Sequence, residues 1–248
     1  MRNLLTVFFA LCTLNTITVS ARPAFDYSAL RDGTFEQKTV SGVRSLSDGE
    51  RYTTMSDGRV LCFSYRTGEP AGVLFDASAA EPRIEFTDYV LSADERRLLL
   101  TTDVEPIYRH SFTAEYWIYD RQDGSLRRLS QGGPQQQAQF SPDGSRVAFV
   151  RGGNLFVADP TAGSERQLTF DEEFSFARAF AWSPDGRKIA YLRFDESRVK
   201  QYNMNRFAGG LYPENYTFKY PKAGEQNSVV ELYCCDAADG SMVRMDTG

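Results

Sequence analysis

Apolar residues in this chain come in short runs bounded by turn signals. No stretch between those runs carries the three-to-four-residue spacing of an amphipathic helix. The clearest stretch is Phe140 to Asp159, FSPDGSRVAFVRGGNLFVAD. Pro142 presets φ for a turn, Asp143 can accept from the backbone just ahead of it, and Gly144 takes an angle other residues resist. Val147 to Val150 is apolar at every position, the pattern of a strand covered on both faces. Arg151-Gly152-Gly153-Asn154 predicts a tight reversal, and Leu155 to Ala158 a return strand.

The unit recurs. Trp182-Ser183-Pro184-Asp185-Gly186 leads into Lys188-Ile189-Ala190-Tyr191. Leu91-Ser92-Ala93-Asp94 leads into Leu98 to Leu100, and Leu46-Ser47-Asp48-Gly49 into Arg51-Tyr52-Thr53. The serines fall at 47, 92, 141 and 183, in steps of 45, 49 and 42 residues. A second signal interleaves: short strands running into a turn glycine at Phe63–Gly68, Trp117–Gly124, Leu155–Gly163 and Leu232–Gly240. Four-stranded propeller blades repeat every 40–50 residues or about that. The expected fold is therefore all-β, a partial β-propeller over residues 45–248. A parallel βαβ array is the rival, and it lacks crossover helices. Phe194 to Asn227 breaks the rhythm with many aromatics, two adjacent glycines and two prolines. Such a segment is either functional or a crossing that covers an edge.

Composition narrows the reading. With 42% hydrophobic and 25% charged residues, the 248-residue chain is ordinary for a globular protein. A net charge of −5 offers no basic field for phosphates, which argues against nucleic acid as a partner. Met1-Arg2, the apolar run Leu4 to Leu14 and the small residues Val19-Ser20-Ala21 predict a signal peptide over residues 1–21, too short for a permanent anchor. The expected destination is secreted or periplasmic. Residues 22–44 form an N-terminal segment of few features. Past the leader, Cys62, Cys234 and Cys235 make an odd set and no complete disulfide framework. Cys234 and Cys235 should face opposite ways on one strand. The single histidine, His110, and these cysteines show no metal-ligand spacing, so no cofactor is expected.

Several longer strings resemble one family. They are Tyr108-Arg109-His110-Ser111-Phe112-Thr113-Ala114, Glu172-Glu173-Phe174, Phe194-Asp195-Glu196-Ser197, Leu211-Tyr212-Pro213, and Tyr220 to Glu225 (YPKAGE) with Asn227-Ser228. Together they resemble dipeptidyl peptidase IV, of the prolyl oligopeptidase group, and its secreted bacterial members. The resemblance implies an eight-bladed propeller followed by an α/β-hydrolase domain with a serine, aspartate and histidine triad. Such enzymes remove dipeptides from free N-termini when proline or alanine is second, and full-length members often dimerise. The chain has about half the expected blades, and no G-x-S-x-G string occurs in it. The resemblance thus identifies the N-terminal, substrate-selecting portion of a serine exopeptidase, inactive alone, with no catalytic residue assignable. A non-enzymatic propeller serving as a binding or scaffold module is the alternative.

The resemblance also implies substrate-binding residues. Glu172 and Glu173 match the paired glutamates that hold a free α-amine, and Arg109 matches an arginine that holds a peptide carbonyl. An α-amine titrates at about 7.7–8.0, so two carboxylates can take its N–H donors in charge-assisted bonds. An arginine fork fits a carbonyl and orients the chain. In the family an Asp-Trp-Val-Tyr segment precedes the glutamates. Here Gln167 to Phe170 runs straight into Asp171-Glu172-Glu173.

Overall fold

The computed structural model describes residues 27–37, 42–171, 175–207 and 209–248. The proposed signal peptide lies outside them. The chain divides into two compact units, Met1–Val40 and Ser41–Gly248. In the first, a single-turn helix, α1 (Tyr27–Arg31), ends at Asp32, whose carboxylate accepts from the Thr34 N–H at 2.9 Å. Among the described residues no helix is long and apolar enough to cross a membrane.

The second unit is all-β. Its described strands form four four-stranded antiparallel sheets and one two-stranded sheet. Blade 1 is β1 (Arg44–Ser45), β2 (Arg51–Ser56), β3 (Arg59–Ser64) and β4 (Pro70–Asp76). Blade 2 is β5 (Asp88–Leu91), β6 (Arg97–Tyr108), β7 (Ser111–Asp120) and β8 (Leu126–Arg128). Blade 3 is β9 (Gln136–Phe140), β10 (Val147–Arg151), β11 (Asn154–Asp159) and β12 (Ser164–Gln167). Blade 4 begins with β13 (Ser175–Trp182) and β14 (Lys188–Asp195). It then departs into a hairpin, β15 (Gln201–Arg206) and β16 (Glu214–Lys219), and resumes with β17 (Val229–Asp236) and β18 (Met242–Arg244). The aromatic-rich segment that broke the repeat is thus an insertion within a blade.

Blades stack face to face, which explains the wholly apolar runs. Leu98 and Leu100 pack with Val60, Phe75 and Tyr89 between blades 1 and 2. Leu99, between them in sequence, points the other way and joins Tyr116, Ile118, Val147 and Phe149 between blades 2 and 3. Ala148 and Val150 continue the alternation, packing with Phe180, Ile189, Tyr191 and Cys235 between blades 3 and 4. Each fully buried apolar side chain contributes roughly 1.5–3 kcal/mol. Cys235 is buried in that last core and Cys234 only half-buried, as neighbours on opposite faces should be.

The repeated turns are hydrogen-bonded devices. The Ser92, Ser141 and Ser183 hydroxyls donate to Asp94, Asp143 and Asp185 at 2.5, 2.6 and 2.6 Å. Each hydroxyl also accepts an N–H five residues on, from Arg97, Arg146 and Lys188, at 2.9 Å. Blade 1 corrects the register read from the sequence. There Leu46, not Ser47, fills the serine's place: its N–H donates to the Arg51 carbonyl at 2.9 Å, as Ser92 N–H does to Arg97. Leu46 is buried in the core between blades 1 and 2, so apolar contact replaces the hydroxyl. In blade 2 the glycine is missing instead. Glu95 takes its place with φ 56°, beside 67°, 69° and 66° at Gly49, Gly144 and Gly186.

These turns also join blades. Arg97 donates to the Gly144 carbonyl at 2.9 Å and Arg146 to the Gly186 carbonyl at 2.7 Å, each reaching the turn of the next blade. The Glu95 carboxylate accepts from the Ser47 N–H, joining blade 2 to blade 1. At the same end of the blades, the turns after the third strands close on Gly68, Gly124, Gly163 and Gly240, whose N–H groups donate four residues back at 2.8–3.0 Å.

Candidate functional site

The site is built at the ends of β6, β7, β13 and β14. In β6 the buried run Arg97–Thr102 changes at Asp103, where a bulge with φ 49° interrupts the ladder and the strand becomes largely exposed. From Glu105 the β6–β7 hairpin continues as an arm beyond the blade, pairing Glu105 with Thr113, Pro106 with Phe112 and Tyr108 with Ser111. Arg109 and His110 form its two-residue tip. Arg109 is exposed there. Its neighbour Tyr108 has a phenol pushed above its ordinary range, first by a hydrogen bond with Tyr216 and then by burial. The arm therefore meets the inserted hairpin.

Beneath the arm lies a cavity of about 430 Å³. Its walls come from the first strands of three blades: Asp88 and Val90 on β5, Gln136 to Gln139 on β9, and Arg178 to Phe180 on β13. Ile107, His110 and Phe112 of the arm close one side. Two of these strands are bulged toward each other. Gln137 has φ 57° and Ala179 φ 48°, and the Gln137 side-chain carbonyl accepts from the Ala179 N–H at 3.1 Å. Left-handed backbone at non-glycine residues costs about 1–3 kcal/mol each, and bulges of this kind re-aim side chains beside functional sites.

Glu172 and Glu173 lie outside the described residues, so only Arg109 of the three expected binding residues has a described position. The chain on either side of the glutamates is anchored to one turn of blade 3. Asp171 N–H donates to the Asn154 side-chain carbonyl at 2.7 Å, and Ala177 N–H to the Gly153 carbonyl at 2.6 Å. The Thr169 hydroxyl donates to the same Asn154 oxygen at 3.0 Å. Across the blade, Arg193 Nε donates to Asp171 Oδ1 at 2.6 Å, which raises the arginine's pKa. The Asp171 side chain is 8% exposed, and its Oδ2 has no partner among the described residues.

Sequence reasoning missed Asn154, Arg178 and Arg193. Asn154 read only as a turn residue and Arg193 only as the end of a strand. Arg178 was hidden by the bulge: strict alternation puts Phe176, Arg178 and Phe180 on one face. The extra residue instead sends Ala177 and Phe180 together into the core and leaves Arg178 at the cavity. Among the described residues no group of three or more His, Cys, Asp or Glu is placed to hold a metal.

Comparisons with known proteins agree with this fold. Residues 92–248 match the family described as the dipeptidyl peptidase IV (DPP IV) N-terminal region. The chain is 28% identical over 235 residues to prolyl endopeptidase FAP of Mus musculus, covering 88% of this chain and 30% of that protein. It is 35% identical over 185 residues to a probable dipeptidyl-aminopeptidase B of Chaetomium globosum, covering 62% of this chain and 20% of that one. Among solved structures, Porphyromonas gingivalis dipeptidyl peptidase 4 superposes with a TM-score of 0.81 at 34% identity, over 90% of this chain and 35% of that chain. The chain thus spans about a third or less of the length of these relatives.

Proposed function

This chain belongs to the dipeptidyl peptidase IV N-terminal-region family, and we propose that it is the substrate-selecting propeller portion of a serine exopeptidase releasing Xaa-Pro and Xaa-Ala dipeptides. In this reading Glu172 and Glu173 receive the free α-amine, and Arg109 holds a peptide carbonyl. Fixing the amine sets the scissile bond two residues along, which is how an exopeptidase counts. Hydrolysis itself falls to an α/β-hydrolase domain. The observation that carries the reading is the exposed Arg109 at the tip of an arm over a cavity, within the stretch matched by the family. The domain plan is a leader over residues 1–21, a segment over 22–44 and blades from 45. Export is part of the proposal, and mass spectrometry of the exported chain is expected to find Arg22 first.

Fluorescence anisotropy with a labelled Gly-Pro peptide tests the amine site. A charge-assisted hydrogen bond contributes about 1.5–3 kcal/mol. Acetylating the peptide amine, or making Glu172→Ala or Glu173→Ala, is therefore expected to weaken binding about tenfold or more. Equal affinity for free and acetylated peptides overturns the assignment. Joined to an active hydrolase domain, the same variants are expected to lose kcat/KM on Gly-Pro substrates.

A further inference from the structure

The cavity beneath the arm contains a cation for which the preceding reading has no task. Arg178 is exposed on β13, and its guanidinium lies 4.9 Å from the Phe176 ring centroid and 5.7 Å from that of Phe194. Those two rings stack on each other at 5.5 Å with their planes 5° apart, across the β13–β14 pair. A planar guanidinium seated on stacked rings is pre-oriented, and among the described residues no hydrogen bond or ion pair takes up its N–H fork.

Of the described residues lining the cavity only Asp88 is acidic, and it is engaged elsewhere, pairing with Arg44 at 2.7 Å. The bulge at Ala179, held by Gln137 of the preceding blade, turns Arg178 toward the cavity. Alanine gains nothing from that backbone conformation for itself. The strain is maintained by the neighbouring strand, and its consequence is the placement of this one side chain.

We propose that Arg178 and the cavity beneath the arm form a carboxylate subsite for the bound peptide. It would favour peptides with an acidic side chain after the second residue, or short peptides whose C-terminal carboxylate reaches the cavity. The peptide's placement rests on the amine reading above; the chemistry of Arg178 does not.

The test uses the full chain and three peptides: Gly-Pro-Glu-Gly amide, Gly-Pro-Gln-Gly amide and Gly-Pro-Gln-Gly free acid, each titrated calorimetrically at low salt. One charge-assisted fork predicts that a carboxylate peptide binds about tenfold more tightly than the neutral amide. Preference for the glutamate peptide identifies a side chain as the source, and preference for the free acid identifies the terminus; either supports the subsite. Arg178→Gln is expected to bring the ratio to about one, and Arg178→Lys to keep part of the preference. Arg178 is exposed, so these variants are expected to melt as the parent does. Equal affinity for all three peptides in the parent chain overturns the proposal, as does a preference that survives Arg178→Gln. If acetylated peptides bind as tightly as free ones and the Arg178-dependent preference persists, the amine reading fails and the carboxylate subsite stands.

Discussion

The β10–β11 and β15–β16 hairpins use the same local chemistry to opposite ends. In the first, Phe149 and Phe156 stack across the strands at 5.4 Å, and Arg151 lies 4.1 Å above the Phe156 ring. In the second, Tyr202 meets Phe218 edge-on at 5.9 Å, and Lys222 lies 5.4 Å from the Tyr202 ring. Yet β10 is buried at four of its five positions, while β15 is exposed at all six. The difference is neighbours. Blades 2 and 4 cover both faces of β10, whereas β15 and β16 pair only with each other. Cross-strand pairs contribute about 0.2–1 kcal/mol each, much less than a buried side chain. The inserted hairpin is thus held by its own ladder and by what it touches, the Tyr108–Tyr216 contact included.

The sharpest break of this comparison is Phe149→Ala against Tyr216→Ala. The first removes a fully buried ring from the core between blades 2 and 3 and is expected to cost about 3–5 kcal/mol in denaturant unfolding. The second, on a partly exposed ring, is expected to cost less than about 1 kcal/mol. Equal costs would mean that the insertion has a core of its own.

Next comes the joint between blades. Arg97 is 8% exposed, donates to Gly144 and Thr161 at 2.9 Å, and lies 3.4 Å from Asp120. Arg97→Met leaves the Gly144 carbonyl short of a donor, but Asp120 keeps Arg96 at 2.8 Å. The expected loss is therefore about 2 kcal/mol rather than that of a stranded charge. A larger loss would show that Arg96 cannot hold Asp120 alone.

A smaller effect depends on pH. Hydrogen bonds from Ser141 and Ser145 lower the Asp143 carboxyl from its ordinary 3.8 to about 2. A depressed carboxyl stabilises the fold above its unfolded pKa and loses that stabilisation as pH falls toward its folded value. The melting-temperature gap between the parent and Asp143→Asn is expected to be constant at neutral pH and to shrink from pH 3.8 to about 2. A gap that holds through this window would remove the turn from the acid transition. The smallest effect is expected at Glu95→Gly. It relieves a φ of 56° but loses the bond from Ser47, so the net change in unfolding free energy is expected within about 1 kcal/mol of zero.

Part of the site was legible and part was not. Arg109 was proposed from the string it lies in, and the structure puts it, exposed, at the tip of the arm. The anchorage of Asp171 by Asn154 and Arg193 could not be read from the chain. Those residues are 17 and 22 positions from Asp171, and no local pattern signals such a meeting. Arg178 was masked for a different reason: a single bulged residue reverses the side-chain alternation from which its face would be inferred.

What the sequence determined by itself is the blade. Turn residues with special backbone demands and apolar runs of strand length act over a few residues, so each four-stranded unit and most of its turns are written locally. The exception at Leu46 shows the limit. A one-residue shift in the first turn was decided by which side chain the second blade could bury. Tertiary structure alone decided how the blades stack, which bulges face one another, how Arg178 meets the cavity beneath the arm, and how Asp171 meets Asn154 and Arg193. Those depend on pairings between strands tens of residues apart, where packing and hydrogen-bond partners, rather than intrinsic preference, select the conformation.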